Sequence, residues 1–208
     1  MSPRVRLAGP TRGSDTRATT LPRMPEPDRR RVLIDVGRRQ FIDVGYAAGS
    51  IDDICRKAGV TKGGFFHYFP SKEAFAREVL AATWDVFLEA HRDVDASPAA
   101  QAVRDHITFM VGFIAGDGRV IPRLAQELGA TNDEVRNQVR GYFEVWTAML
   151  ESTLERAGCR DARSLMEFII AGIEGAPMVA GQLGEQVLEH TIEHLIAHVQ
   201  EALARTDA

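Results

Sequence analysis

Three sets of residues in this 208-residue chain have types and spacings that could do chemistry. The first is Thr61-Lys62-Gly63-Gly64, a cation beside two positions without side chains. At the start of a helix, outward-pointing N–H groups and the positive dipole end attract a phosphate oxygen. Lys62 could reach a phosphate or a guanine edge, and a glycine pair leaves nothing between backbone and a close partner such as a groove wall. The pair matches neither dinucleotide-binding nor P-loop spacing; the plainer alternative is a weak helix start against a crowded core. The second set is His190, His194 and His198, four residues apart. Imidazoles at that spacing can share a metal, but positions 187, 191 and 195 are Val, Thr and Leu, so no Glu-x-x-His pair exists there. These histidines read as a polar edge or interface, and no metal is expected. The third set is Cys55 and Cys159, too few for a disulfide framework or a four-ligand zinc site. No Ser/His/Asp, Cys/His or paired-carboxylate arrangement stands out, so neither catalysis nor a cofactor is expected.

The glycine pair acts only if short helices hold it. Leu33, Val36, Gly37, Phe41 and Val44 recur at three- and four-residue spacing, which predicts a first helix over 28–44 with one buried stripe. Gly45 should end it as a left-handed cap. Ser50 predicts an N-cap, with Asp53 three residues on, for a short second helix whose inner face is Ile51, Ile54, Cys55 and Ala58. Gly59 marks a tight turn, and Thr61 caps a third helix over 62–69, with Val60 and Phe65 spaced as a hydrophobic staple. Pro70 stops that helix. Ser71 caps a fourth reaching His91, with Phe75, Val79, Ala82, Val86 and Phe87 inward. Two short helices about a glycine turn, braced by longer ones, make a helix-turn-helix whose second helix enters the major groove.

Charge supports this division. Residues 1–72 carry 14 Lys and Arg against 7 Asp and Glu, whereas residues 73–208 carry 11 against 22, beneath a formal net charge of −4. Only the first third is suited to meet a polyanion. Residues 1–27, with five arginines and five prolines, read as a disordered basic tail. They hold no apolar stretch of the secretory type, and no uninterrupted apolar run of membrane-spanning length occurs, so a cytoplasmic protein without a membrane partner is expected.

The run Gly45-Tyr46, Ser50-Ile51-x-x-Ile54, Ala58-Gly59-Val60-Thr61-Lys62-Gly63-Gly64-Phe65-Phe66-His67-Tyr68-Phe69 and Ser71-Lys72-Glu73 resembles the DNA-binding domain of TetR-type transcriptional regulators. The resemblance is specific over about residues 28–90 and architectural beyond. It implies a homodimer that binds a palindromic operator, a small-molecule pocket in the larger domain, and release of DNA when a ligand binds. It also implies that Ser50 caps the second helix near a phosphate and that Thr61, Lys62, Gly63 and Gly64 face bases or backbone. By the same resemblance, His67 and Tyr68 lie along the DNA backbone and Lys72 clamps a phosphate. Phe66 departs from the tyrosine frequent in such proteins, so it is left out of the contacts. Cys55 replaces a small apolar residue and reads as buried packing.

Beyond Ser97-Pro98 the pattern predicts helices over 99–115, 119–129, 132–157, 161–182 and 184–205. The fold expected is all-α, about nine helices: an N-terminal three-helix helix-turn-helix domain (28–90) and a C-terminal helical bundle (91–208) for ligand binding and dimerisation. The broad apolar faces of 161–182 and 184–205, with Ala171, Gly172, Gly175 and Ala176 for close approach, are placed by the resemblance at the dimer interface. His106, Phe109, Phe113, Phe143, Trp146 and Glu174 are candidates to line the pocket for an effector of unknown identity. The reading is thus a ligand-released repressor. An activator of the same family, or a helical-bundle enzyme or metal-binding protein with an incidental basic segment, remains an alternative.

Overall fold

The caps set where the first helices begin. In a computed structural model that describes residues 26–92 and 97–204, α1 spans Glu26–Ala48, α2 Ile51–Ala58, α3 Lys62–Tyr68 and α4 Lys72–His91. Ser50, Thr61 and Ser71 each sit in extended backbone and accept a hydrogen bond from the N–H three residues on, at 3.0, 3.1 and 3.1 Å. Each satisfies one orphan donor of a helix start. The expected basic tail falls almost wholly outside the described residues.

Gly45 breaks α1 with φ 86° and ψ 173°. The positive φ was expected, but this is an extended glycine conformation rather than a left-handed cap. A further helical turn follows to Ala48, and the Gly49 N–H donates back to Gly45 O at 3.0 Å. Gly59 does adopt the left-handed cap, φ 65° and ψ 29°.

The core of this part is aromatic. Phe41, Phe65, Phe69 and Phe75 are essentially unexposed, with Phe75 centred 5.8, 5.0 and 4.8 Å from Phe41, Phe65 and Phe69. Phe75 reaches α1 only because position 37 has no side chain: a Cβ there would lie 2.2 Å from its ring. Two expected core residues are instead exposed. Val44 and Val86 stand 45% and 47% open; at Val86 the helix goes on to bury Phe87 and His91, so this residue lies beside the covered face and not beyond its end. Ile34 and Ile42, outside the expected stripe, are buried too, Ile34 beside Ala82 and Val86 of α4 and Ile42 where Arg123 of α6 bonds its carbonyl.

The second part continues with α5 (Ala99–Ala115), a short 3-10 turn at Asp117–Arg119, α6 (Val120–Leu128), α7 (Asp133–Arg156), α8 (Ala162–Leu183) and α9 (Gln186–Ala204). The described residues form nine helices and no strand, so the fold is all-α. By length and composition α8 is apolar enough to span a membrane, although charged residues interrupt its apolar run. It packs against α5, α7 and α9 and carries Glu167 and Glu174.

Gly37→Ala is expected to lower stability by about 1–3 kcal/mol, because overpacking forces the buried Phe75 ring to shift. A denaturation midpoint equal to the wild type's would show that the ring has room.

Candidate nucleic-acid interface and effector cavity

α3 has only seven residues, two of them glycine. Isolated helices of this length do not persist in water, so its position is imposed by burial of Phe65 and by the Thr61 cap. With Phe65 inward, Lys62, Gly63, Phe66 and His67 face outward and are exposed. Nothing lies within 4 Å of where a Cβ on Gly63 would stand.

Gly64 differs. A Cβ there would lie 2.9 Å from Val60 Cγ1 and 3.3 Å from Thr61 Oγ1. Its missing side chain serves the chain's own turn, whereas at Gly63 the surface is bare. The pair therefore splits: half of it follows the crowded-core alternative, and half is open to a groove.

Polar partners preset several of the expected contacts. Lys62 Nζ pairs with Asp52 Oδ1 of α2 at 2.9 Å, both side chains mostly exposed. Thr61 and Ser50 spend an acceptor on their caps. Lys72 is held more firmly: its ammonium donates to Tyr46 O at 2.5 Å and lies 4.3 Å from the centre of the Tyr46 ring. Burial lowers its pKa below the usual lysine range. Tyr46 in turn donates to Glu73 Oε1 at 2.9 Å, and burial together with that carboxylate raises the phenol's pKa. His67 and Tyr68 lie edge to face, 5.2 Å apart. Phe66, omitted in the sequence reading, has 44% of its surface open beside Gly63. Cys55 is buried, which raises its thiol pKa, as suits packing rather than reactivity.

The candidate pocket residues fall into two groups. Phe113, Phe143, Trp146 and Glu174 line a small, partly open cavity of about 20 Å³, room for a single water. Trp84 and Tyr142, not expected from the sequence, stack 4.6 Å apart at 10° across the α4–α7 seam and share the lining with Met110, Ile114 and Ile121. Their spacing gave no signal, since the two residues are joined only by the fold. Glu174 is raised to about 7 by burial alone.

His106 and Phe109 lie outside that lining. Phe109 packs on His91, with ring centres 4.6 Å apart. His106 is fully engaged: Trp146 Nε1–H donates to its Nε2 at 2.7 Å, and its Nδ1 lies 3.1 Å from His91 Nε2. Because indole only donates, the His106 proton sits on Nδ1 and is given to His91, whose own Nδ1–H is given to Phe87 O at 3.0 Å. This chain of bonds ties α4, α5 and α7 together. Burial, then the neighbouring His91, lowers His106 to about 3. His190, His194 and His198 are exposed along α9, and no three potential metal ligands converge among the described residues.

The two parts meet through α1, α4 and α6. Arg38 pairs with Asp117 at 3.1 Å, Arg123 donates to Ile42 O at 2.9 Å, and Glu127 Oε2 accepts the Ala47 N–H at 2.8 Å. Glu127 and Arg123 also crowd Gly45, so the kink in α1 is where the second part grips the first.

Comparison with known proteins is consistent along the chain. Residues 33–79 match the family of bacterial regulatory proteins of the tetR type, and residues 99–194 match the LmrA/YxaF-like transcriptional regulator C-terminal domain. The chain is 31% identical over 161 residues to the transcriptional regulator AcuR of Cereibacter sphaeroides, covering 69% of this chain and 72% of that one. It is 29% identical over 160 residues to the HTH-type transcriptional repressor DhaR of a Mycobacterium species, covering 71% and 79%. A TetR transcriptional regulator from Chloroflexus aurantiacus superposes with a TM-score of 0.75 at 25% identity, covering 84% and 96%.

His106 is neutral when folded and takes a proton more readily when unfolded. The unfolded state therefore binds more protons below about pH 6.5, and stability falls as pH drops from there toward 3. In His106→Gln, melting temperature between pH 6.5 and 5 is expected to fall less steeply than in the wild type. An equal slope would mean that the folded protein protonates His106 without cost.

Proposed function

As a member of the TetR family, to which it belongs, this chain is a DNA-binding transcriptional regulator, and we propose that it is a repressor released from its operator by a small molecule. In this reading residues 28–90 bind DNA and residues 91–208 hold the effector and the dimer interface, in the bacterial cytoplasm. The observation that carries it is the outward face of α3, where Gly63 is bare between the exposed Lys62, Phe66 and His67.

That face suits a major groove. Gly63 lets backbone approach the groove wall, and Lys62 exchanges Asp52 for a phosphate or a guanine edge. Phe66 offers an apolar contact to a thymine methyl. Ser50, Thr61, His67 and Tyr68 lie toward the DNA backbone, and Lys72 adds charge at the start of α4. Gly64 contributes through the turn rather than by touching DNA.

Phe168, Met178, Val179 and Leu183 leave one face of α8 apolar and exposed, with Gly172 and Gly175 between them. A second copy covering this face would set two α3 helices about 34–36 Å apart, one turn of duplex. The relative DhaR is named a repressor, which supports repression here.

α4 links ligand to DNA. Lys72 begins it beside α3, and Trp84 lies twelve residues on in the cavity lining, about 18 Å at 1.5 Å per residue. A cavity that holds one water cannot admit an effector without moving Trp84 or its neighbours, and α4 carries that movement to α3.

Mobility shift on the promoter region beside its own gene tests the reading. The wild type is expected to shift that DNA, and Lys62→Ala to bind more weakly with a salt slope lower by about one unit. Gly63→Leu should lose binding while melting like the wild type. Gly64→Ala should lower melting temperature instead, through its contact with Val60. Full affinity in Gly63→Leu would place α3 away from DNA.

A further inference from the structure

Three sites are built well enough to act on something: the hydrogen-bonded His91–His106–Trp146 chain, the apolar face of α8 and the cavity around Glu174. The first has every ring nitrogen satisfied and offers nothing to a ligand. The second is absorbed by the dimer. The third has a carboxylate without a counter-charge.

Glu174 faces Trp84, Met110, Phe113, Tyr142, Phe143 and Trp146. Its carboxyl has no hydrogen-bond or ion-pair partner among the described residues, and the lining contains no lysine, arginine or histidine. Glu174 is half-buried, and a carboxylate partly withdrawn from water with no cation beside it is disfavoured. Burial alone accounts for its raised pKa, so no neighbour offsets the cost. Five aromatic residues line the cavity with it, both tryptophans of the chain among them, and Trp84 is stacked between Phe87 and Tyr142. Tryptophan faces are the strongest of these for cations. The surrounding residues 73–208 carry twice as many acidic as basic side chains, which raises the local concentration of cations.

We propose that the effector is an organic cation, an amine or quaternary ammonium group that Glu174 neutralises and that the rings of Trp84, Tyr142, Phe143 and Trp146 enclose. The inference rests on the proposed ligand-released regulator and deepens it by giving the effector a chemical class. An anion or a neutral polar molecule would leave the carboxylate unpaired or repelled. A cation supplies the charge that the site lacks. Because the cavity has room for about one water, the cation enters by parting the Trp84–Tyr142 stack, one of the contacts that join α4 to α7.

The two tryptophans make the test direct, since the chain's whole indole emission comes from this lining. Full-length protein at pH 8 is titrated with tetramethylammonium, choline and benzyltrimethylammonium, and with 3,3-dimethylbutan-1-ol, the uncharged analogue of choline. At least one ion is expected to change the emission saturably. Choline should bind at least tenfold more tightly than its uncharged analogue, and Glu174→Gln should weaken the binding ion at least tenfold. An uncharged analogue that binds as tightly as choline, or a Glu174→Gln variant that binds the ion undiminished, overturns the cation while leaving the pocket in place. If no probe of either kind changes the emission, both the cation and the pocket reading fail. Should Glu174→Gln fail to fold by circular dichroism, the charged-against-uncharged comparison in wild-type protein decides.

Discussion

Burial of Phe65 is the constraint on which the outward surface of α3 depends. A seven-residue helix containing two glycines has no stability of its own. It exists because Phe65 is locked against Phe69 and Phe75, at 5.4 and 5.0 Å between ring centres. That single inward side chain fixes the rotation of α3, and with it which residues face out. The dependence runs further back, to Gly37, whose missing side chain makes room for Phe75. A bare position in the first helix thus holds the ring that holds the third helix, and the third helix presents another bare position, Gly63.

The same economy of contacts joins the two parts of the molecule. α4 begins beside α3, lends Trp84 to the cavity and ends in the His91–His106–Trp146 hydrogen-bond chain. Its upper half is therefore fixed to α5 and α7 by bonds that leave no ring nitrogen unpaired. α1 is held from the other side, where Arg123 and Glu127 of α6 close on backbone groups around the Gly45 kink. α4 thus runs unbroken from the neighbourhood of α3 to the seam with α7.

Much of this was legible in the sequence, for physical reasons that can be named. Ser50, Thr61 and Ser71 act within three residues of themselves, so their capping is local and readable, and the helices they start begin where expected. Glycine at 45 and 59 marked real interruptions, although only Gly59 took the left-handed cap. Periodicity failed at Val44 and Val86 because it shows which residues share a face, not how far round the helix a partner reaches: Val86 stays open although Phe87 and His91 beyond it are buried. It also missed Ile34 and Ile42, since the contacts of α1 with α4 and α6 are set by the fold. The glycine pair read as one feature and proved to be two: Gly64 yields to Val60 and Gly63 to open space. The cavity was half legible. Phe113, Phe143, Trp146 and Glu174 were found among large side chains and a stray carboxylate, whereas Trp84 and Tyr142 are brought together by tertiary packing alone. His106 looked like a ligand-orienting group because sequence does not show that both its nitrogens are used internally.

The most direct measurement is a structure of the protein with a duplex carrying its operator. The account predicts Gly63 backbone against the major-groove wall, with Lys62 released from Asp52 onto a phosphate or a base edge. Phe65 should remain buried as it is in the free protein. A complex in which the Lys62–Asp52 pair persists and the outward face of α3 points into solvent would contradict it.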